Sequence, residues 1–552
     1  MKIKQQYIKY LTTLKSELSN IEINNNIDDL SYALEHTELV IPVIGSFSAG
    51  KSTLINSFLE REILSVGLTP ETAIATELRY ADDEYIEAVK TDASVVTYKV
   101  EELSIIDVEK YQYIKLYLNN KNLKSIEPFI LVDMPGFDSP YDAHNEAIFT
   151  YLERGVHFIF LTTVEDGNIT KSMQRELKNI LEYEKDISFF LSKSNLRAGS
   201  EIADVQEKMK EQIDDELDIE ADITPIGLDG KKALANIFKA IDIDTLYKKI
   251  FLNNLKIDYR EIEGSLNTFI NTLSSTKEES DRAIEELDVA MKKLTSKKER
   301  MLSDIKDKYS NVNVNSIVEE VGRTLISAKV NLVHIGTTQG SDALSSEINA
   351  LVKSTLIYEV KRKLSDISDN IVDDFTFELR DLDFSLSDNF AENISENIKS
   401  ALDTGTNALK NILDVTKDSS SLFKVLGTVL AIVTNVIAPI IEVVLLFLPN
   451  LLSSFFEKKA KVEFENKLFN EIIPSLKQEI RRQLPRILEG QISVLLEKIA
   501  KGFELSLEQK QKEIVEKAKE REEKISQVVE EIKKYKDIRD KVKNLAFEKL
   551  YK

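Results

Sequence analysis

Prolines are concentrated in the first part of this chain. Six of the ten lie at or before Pro225, and none occurs between Pro225 and Pro439. Because proline breaks the interior of a helix, this long gap permits long helices. The 552 residues are also too many for one compact core, since domains usually hold roughly 100–200 residues. We therefore expect a compact first part followed by a long helical part.

Short apolar runs in the first part are typical of buried strands. Helical stretches separate them, which predicts a mostly parallel sheet flanked by helices. Two further segments, Ala73–Tyr80 and Val95–Val100, are expected to add edge strands. The apolar runs are Leu39–Gly45, Phe129–Asp133, Val156–Leu161, Ile187–Leu191 and Ile223–Ile226.

After about residue 245, apolar residues recur at helical spacing, which predicts a helical bundle or an antiparallel coiled coil. The segment Ile3–Leu34 has the same pattern and is expected to join that bundle. Charge runs such as Lys277–Glu279 and Lys517–Lys524 are interpreted as solvated helix faces. The apolar stripe includes Leu266, Ile270, Leu273, Ile284, Leu287, Ile514, Ile525, Val528 and Ile532.

The composition excludes several classes of function. With 73 Lys and Arg against 94 Asp and Glu, the net charge is −21, which disfavours nucleic-acid binding. The chain has no Cys and only four scattered His, so neither thiolate chemistry nor a His-built metal site is expected. The N-terminal residues lack the apolar core of a signal peptide, which predicts a cytoplasmic protein.

The segment Gly45-Ser-Phe-Ser-Ala-Gly-Lys-Ser52 fits the phosphate-binding pattern G-x-x-x-x-G-K-[ST], between a predicted strand and a predicted helix. Lys51 would reach the β- and γ-phosphates, and Ser52 would bind Mg²⁺. The backbone N–H groups and the positive end of the helix would surround the phosphates. The nucleotide-contacting residues are expected to be Gly45, Ser46, Phe47, Ser48, Ala49, Gly50, Lys51, Ser52 and Thr53.

Asp133-Met-Pro-Gly136 matches the D-x-x-G element that follows a strand in GTPases. Asp133 would hold Mg²⁺, and the Gly136 N–H would sense the γ-phosphate. The alternative is a plain strand-end turn, since Pro-Gly forms turns by itself. A threonine that closes on Mg²⁺ is expected between the two motifs; Thr72 is our choice and Thr69 the competitor.

Ser192-Lys-Ser-Asn195 stands where GTPases carry the base-reading element [NT]-K-x-D. Ser192 begins the element, and the stem of Lys193 would pack along the base. The final Asp would accept two hydrogen bonds from guanine, but here the residue is Asn195, which offers one acceptor and one donor. We favour guanine, and relaxed or altered base specificity is the alternative.

The stretch Val425–Phe456 is almost wholly apolar, with Glu442 as its one charged residue. Each arm is shorter than the roughly 20 residues of a spanning helix, so we expect a hairpin that dips into one leaflet. The expected bends are at Pro439, Glu442, Pro449 and Asn450. The alternative is a buried core or an oligomer interface. Flanking lysines could meet anionic head groups: Lys410, Lys417, Lys424, Lys458, Lys459 and Lys461.

The motif Ser46–Thr53, the loop Pro70–Ala73 and Asp133–Gly136 resemble bacterial dynamin-like GTPases. The resemblance implies GTP or GDP with Mg²⁺, a membrane paddle at 422–456 that contacts anionic lipid, and a place at the inner face of the plasma membrane. It also implies a homodimer through the GTPase domains, or assembly with a second dynamin-like protein. Ser48 matches a serine that positions the attacking water and a monovalent cation. Phe47 stands where eukaryotic dynamins carry Gln.

The expected fold class is an α/β P-loop GTPase domain plus a long all-α stalk with a hydrophobic helical-hairpin tip. GTP hydrolysis would change the head–stalk angle at hinges near 35–40 and 240–260 and so remodel membranes, with Ser48, Lys51, Thr72 and Gly136 as catalytic groups. The alternatives are a nucleotide-switched scaffold and a secretion-associated GTPase. The expected domains are an N-terminal helix 1–36, the GTPase domain 37–245, neck helices 246–310, the stalk 311–500 with the paddle 422–456, and a returning helix 501–552.

Overall fold

The structure, a computed structural model, has an α/β head and a long helical part, as the sequence predicts. Nine strands form one sheet in the head, in the spatial order β4-β3-β5-β2-β6-β1-β7-β8-β9. The strands are β1 Leu39–Gly45, β2 Ala75–Tyr80, β3 Tyr85–Val89, β4 Val95–Tyr98, β5 Tyr113–Leu118, β6 Phe129–Asp133, β7 His157–Thr163, β8 Asp186–Ser192 and β9 Ile223–Pro225. The described residues are 2–46, 48–64, 74–90, 92, 94–107, 110–136, 151–227, 229–305, 311–380, 390–403, 429–453, 461–523 and 525–552.

The half of the sheet from β6 to β9 is parallel, with β1 between β6 and β7. Beyond β6 the sheet is mixed, because β2 runs antiparallel to β6 and β3 runs antiparallel to both its neighbours. The carboxyl ends of parallel strands meet at one edge. That edge therefore brings together Gly45, Asp133 and Ser192, the last residues of β1, β6 and β8.

One of the two predicted edge strands is wrong, and two strands were missed. The predicted edge strand Ala73–Tyr80 lies inside the sheet as β2, between β5 and β6, whereas β4 does lie at the edge. The missed strands β3 and β5 alternate between buried and half-buried positions. They contain no continuous apolar run, because one of their faces carries Glu and Lys.

The head helices are α3 Lys51–Leu59, α4 Lys121–Ser125, α5 Lys171–Glu182, α6 Gly199–Leu217 and α7 Gly230–Ala240. Local capping fixes where some of them begin. The Thr170 side chain accepts a hydrogen bond from the Met173 N–H at 3.3 Å and so caps α5. Asp242 caps the first neck helix in the same way, by accepting from the backbone of Asp244 and Thr245.

The helical part begins with α1 Lys2–Leu18 and α2 Ile27–His36 and resumes after the head. Its helices are α8 Ile243–Ser274, α9 Lys277–Ile305, α10 Asn311–Ser327, α11 Lys329–Thr338, α12 Ser341–Arg380, α13 Phe390–Asp403, α14 Val429–Ser453, α15 Lys461–Lys467, α16 Ile473–Glu523 and α17 Val528–Leu550. A π-helical turn, Leu468–Ile472, joins α15 to α16. Leucine and isoleucine fill the interior between these helices.

Two predicted hinges are shorter than the sequence suggests. Most of the region 240–260 belongs to the continuous helix α8, so only residues 241–242 link the head to the neck there. On the other side, residues 37–38 link α2 to β1. The predicted domain boundaries at 245/246 and 500/501 fall inside α8 and α16.

The neck is formed by α1, α8, α17 and the second half of α16. The Gln6 amide donates to the Lys549 carbonyl at 2.7 Å, and Lys541 pairs with Glu17 at 2.9 Å. One residue of a predicted solvated face, Lys517, is an exception. Lys517 is buried, and its ammonium donates to the Tyr535 hydroxyl at 2.7 Å, whereas Lys277 is exposed as expected.

The apolar segment forms one continuous helix, α14, across its described residues 429–453. The predicted hairpin bend near Pro439 is therefore wrong, because both Pro439 and Pro449 lie inside this helix. Proline removes one helical hydrogen bond, and packing against α12 and α16 compensates for that loss. Residues 422–428 and 454–456, and the flanking lysines other than Lys461, lie outside the described residues.

Within α14, the stretch Ala431–Pro449 has a mean hydropathy of 2.4 and is long enough to cross a membrane, although 44% of it is buried inside the protein. Its buried face includes Val436, Ile437 and Ile440, while Leu446 is 64% exposed. The Thr434 hydroxyl also lies 3.1 Å from the Tyr183 hydroxyl of the head. The segment is thus half buried in this conformation and contacts the head.

Candidate nucleotide-binding site

The loop after β1 has the backbone of a phosphate cradle. A Cβ on Gly45 would lie 2.1 Å from the Leu161 carbonyl oxygen of β7, so only glycine fits between the strands there. Gly50 has φ +90° and caps α3, and Ser48 also has a positive φ of 62°. Such strained backbone in a non-glycine residue is typical of functional loops.

Lys51, the first residue of α3, is buried and turns back over the loop. Its ammonium donates to the Gly45 carbonyl at 3.3 Å and the Ser46 carbonyl at 3.0 Å. The side chain therefore lies across the concavity that the loop encloses. A phosphate bound in the loop would meet this charge directly.

Ser52 and Asp133 join the two phosphate-binding motifs. The Ser52 hydroxyl donates to Asp133 Oδ2 at 2.7 Å, while the buried Asp133 Oδ1 has no hydrogen-bond partner. Burial raises the pKa of Asp133 to about 6, against the opposing effects of Ser52 and Lys51. A hydroxyl and an unsatisfied carboxylate oxygen this close are hard oxygen ligands, and they fit Mg²⁺.

The predicted base-reading element lies beside the phosphate loop. The Ser192 hydroxyl donates to the Ala49 carbonyl at 2.7 Å. Lys193 adopts a left-handed backbone (φ 56°), and its ammonium lies 3.0 Å from Glu165 Oε2. Asn195 is exposed in the short 3-10 helix Ser194–Leu196. Its side chain is thus open to solvent at the same edge of the sheet.

Other predicted residues are placed as follows. Thr53 is exposed in the first turn of α3, and Gly136 is buried three residues beyond Asp133. Phe47, Thr69 and Thr72 lie outside the described residues. The structure therefore brings together Gly45–Ser46, Ser48–Ser52, Asp133 and Ser192–Asn195 at one edge of the sheet.

Sequence reasoning missed a buried charge cluster behind the site. Glu77 on β2 is fully buried, and its carboxylate is 2.6 Å from Arg154, 2.8 Å from Arg79 and 2.8 Å from the Tyr151 hydroxyl. Arg79 in turn donates to Glu38, just before β1. The sequence signal for this cluster was the presence of charged residues on a short strand. The same pattern is typical of an exposed strand, so it did not indicate buried charges.

A second missed feature is the contact between α5 of the head and α12 of the stalk. Lys353 is 1% exposed, and its ammonium lies 3.0 Å from both carboxylate oxygens of Glu176. Arg175 forms a two-fold ion pair with Glu347, one bond of which is 2.9 Å. We call these two pairs the head–stalk contact. Their sequence pattern is that of ordinary amphipathic helices.

The comparison with known families agrees with the motifs. Residues 41–194, which include β1, the phosphate loop and Asp133, match the model of the dynamin family. The head of the chain therefore carries a dynamin-family domain. The head is thereby of the GTPase class, which confirms the resemblance that the three motifs indicate.

Two relatives match parts of this chain. An uncharacterized protein from the xynA 3′ region of Caldicellulosiruptor sp. (strain Rt8B.4) is 24% identical over 285 residues, which cover 49% of this chain and 69% of that protein. Dynamin-like protein 2 of Campylobacter jejuni subsp. jejuni serotype O:23/36 (strain 81-176) is 29% identical over 177 residues, 29% of this chain and 28% of that protein. This chain thus matches less than a third of the second relative.

A solved structure, described as an oligomerised bacterial dynamin pair for the long-range sensing and tethering of membranes, matches most of the chain. It is 18% identical to this chain, and the match covers 94% of this chain and 91% of that chain. The TM-score is 0.31. So low a score does not establish a common arrangement of head and stalk.

Proposed function

We propose that this protein binds and hydrolyses GTP with Mg²⁺ and uses the nucleotide state to control the exposure of α14 to membranes. The observation that carries the proposal is the Ser52–Asp133 oxygen pair, which lies beside the Lys51 ammonium at the carboxyl edge of the sheet. Phosphoryl transfer needs mostly positioning and charge neutralisation, which this arrangement can supply.

Ser52 and Asp133 would hold Mg²⁺, which when bound neutralises charge on the phosphate oxygens. The Lys51 ammonium would leave the loop carbonyls for the β- and γ-phosphates. The Gly136 N–H would donate to the γ-phosphate, and Thr72 would close over it. Ser48 would orient the attacking water and a monovalent cation, as the family resemblance implies.

A short series of contacts connects the base-reading element to the stalk. Lys193 pairs with Glu165, which belongs to the loop between β7 and α5. Helix α5 carries Arg175 and Glu176 of the head–stalk contact. Any nucleotide-dependent shift of that loop would therefore move the residues that hold α12, against which α14 packs.

Release of this contact would free α14 to bind lipid. The helix supplies an apolar face, and an anionic membrane surface would suit the lysines that flank 422–456. One similar structure is described as tethering membranes, which supports a role at a membrane. We place the protein at the inner face of the plasma membrane, as a homodimer through its heads or assembled with a second dynamin-like protein.

The decisive experiment is GTP turnover with and without anionic liposomes. We expect turnover to rise with lipid, and Lys51→Ala to lower it by about 100-fold or more. Lys121→Ala, which removes an exposed head lysine, is the matched control and should change nothing. Nucleotide binding without turnover under either condition would contradict the proposal.

Asn195 supports a second candidate, a nucleotide-switched scaffold with weak turnover that acts through a protein partner, in secretion for example. An exposed amide at the base-reading position gives a different hydrogen-bond pattern from a carboxylate. Competition of GTP, XTP and ATP for one labelled nucleotide tests this point. If ATP competes best, the guanine assignment is wrong.

A further inference from the structure

A cavity of about 410 Å³ lies in the neck, between α8, α13, α16 and α17. This volume is in the range of small-molecule sites, roughly 300–1,000 Å³. Its lining contains no residue of the nucleotide site, and only two of its fifteen lining residues, Phe390 and Ile394, are aliphatic or aromatic. So polar a cavity is unusual in a helical bundle whose interior is otherwise mostly apolar.

Three cationic side chains line this neck cavity: Arg260, Lys510 and Arg539. Lys510 is buried, donates to the Gly264 carbonyl at 3.3 Å and contacts the Thr268 hydroxyl. The other faces of the two arginines meet exposed carboxylates, Arg260 with Glu396 at 3.5 Å and Arg539 with Asp540 at 3.0 Å. Exposed pairs of this kind are weak, so a bound anion can compete with them.

The acidic side chains of the cavity offset only part of this charge. Glu513 accepts hydrogen bonds from the Ser265 hydroxyl and, at 3.1 Å, from the Gln509 amide. Burial raises the pKa of Glu261 to about 8, so this group is neutral at pH 7. The side chains that line the cavity therefore carry more positive than negative charge, which suits an anion.

The buried amide of Asn397 indicates which second chemical group a ligand of the cavity would carry. Asn397 on α13 is 7% exposed, and its Oδ1 has no hydrogen-bond partner. An unsatisfied buried acceptor costs about 1–3 kcal/mol, so a donor is missing at this position. Asn393 and Ser506 also line the cavity and offer further polar groups. Hydroxyl groups would satisfy these side chains.

We propose that the neck cavity binds a phosphate monoester of a small polyol, with the phosphate held by Lys510, Arg260 and Arg539 and the hydroxyls held by Asn397 and its polar neighbours. A phosphate monoester carries about −1.5 to −2 charges near neutral pH, which matches the excess of cations. Only Phe390 and Ile394 of the lining residues could contact an acyl chain through an aliphatic or aromatic side chain, which favours a soluble ester over a lipid. A ligand here would join α8, which leaves the head directly, to three other helices.

The test is ligand-observed NMR on the full chain, saturated with GDP and Mg²⁺ so that the head does not take the probe. The probes are glucose 6-phosphate and glycerol 3-phosphate at millimolar concentration, with glucose, glycerol and inorganic phosphate as comparison arms. We expect an ester to bind more tightly than its neutral polyol. Lys510→Met and Arg539→Gln should each weaken ester binding by about tenfold or more.

Lys512→Met is the matched control, because this lysine is exposed on the same helix. Arg539 is partly exposed, so its variant keeps the test valid if Lys510→Met fails to fold. Three outcomes would overturn the proposal: neither ester binds, the neutral polyols bind equally well, or both cation variants bind the esters like the unmodified chain.

Discussion

Two fully buried carboxylates, one in the head and one in the neck, have pKa values that shift in opposite directions. Burial alone would raise the pKa of Glu77, but the charges of Arg154 and Arg79 hold it below its ordinary value. Asp258 on α8 accepts a hydrogen bond from the Asn26 N–H at 2.7 Å, and its second oxygen has no partner. Burial therefore raises its pKa to about 6.

The difference shows how the two regions use buried charge. In the head, cations compensate the carboxylate, and the cluster fixes β2 to the helical residues 151–154 and to Glu38 before β1. In the neck, the carboxylate lacks a cation and costs stability whenever it is ionised. The buried charge of the head is therefore compensated within the fold, whereas that of Asp258 in the neck is not.

The largest expected effect comes from Glu77→Gln. This change leaves Arg154 and Arg79 without their buried counter-charge, and we expect the head to lose about 3–5 kcal/mol of unfolding free energy. Urea unfolding followed by circular dichroism measures it. The control is Glu87→Gln, whose partly exposed pair with Lys115 should contribute less than about 1 kcal/mol. Equal losses in both variants would contradict the comparison.

Lys353→Met tests whether the buried pair of Lys353 with Glu176 holds the head and the stalk together. The unpaired Glu176 would cost about 3–5 kcal/mol in the closed contact, and separation of head and stalk would relieve this cost. We therefore expect liposome flotation without nucleotide. The double variant Lys353→Met with Glu176→Met should restore nucleotide-dependent flotation, whereas Lys363→Met on another face of α12 is the control. Unchanged flotation in Lys353→Met would rule out the head–stalk contact as a restraint.

In the neck, removal of the buried carboxylate charge of Asp258 should stabilise the fold. The folded-state pKa of Asp258 lies above the ordinary 3.8, so protonation favours the fold. Its contribution is complete below about pH 4 and is lost as the pH rises through 6. Asp258→Asn should therefore gain about 2 kcal/mol at pH 7.5 and nothing near pH 3.5. Thermal unfolding at both pH values measures this difference, and a loss at pH 7.5 would show that Asp258 is not an electrostatic cost.

The smallest effect on stability is expected for Leu446→Asp. The side chain is exposed, so the free energy of unfolding should change by less than about 0.5 kcal/mol. Liposome flotation should nevertheless be lost if this face of α14 meets lipid. Ile437→Asp on the buried face is the contrasting variant, and it should destabilise the stalk strongly. Flotation that survives Leu446→Asp would show that α14 binds membranes by another face.

Much of the nucleotide site could be predicted because its signals are local. The spacing of Gly45, Gly50, Lys51 and Ser52 specifies a loop, and Asp133 ends an apolar run that can only be a buried strand. Even so, the Ser52–Asp133 hydrogen bond depends on β1 and β6 being neighbours, which the sequence implies only through the motif. The strands β3 and β5 were missed because only one face of each is fully buried, and such strands have a weak hydrophobic pattern.

The sequence by itself determined the order of the parts, the phosphate loop and the apolar character of 422–456. Tertiary structure alone decided which charges are buried, that Pro439 remains inside a helix, and that a cavity lies between four helices. The physical reason is that local patterns report hydrophobicity and backbone preference along one element. The partner of a buried charge such as Lys353 lies 177 residues away, at Glu176, and no local pattern specifies it.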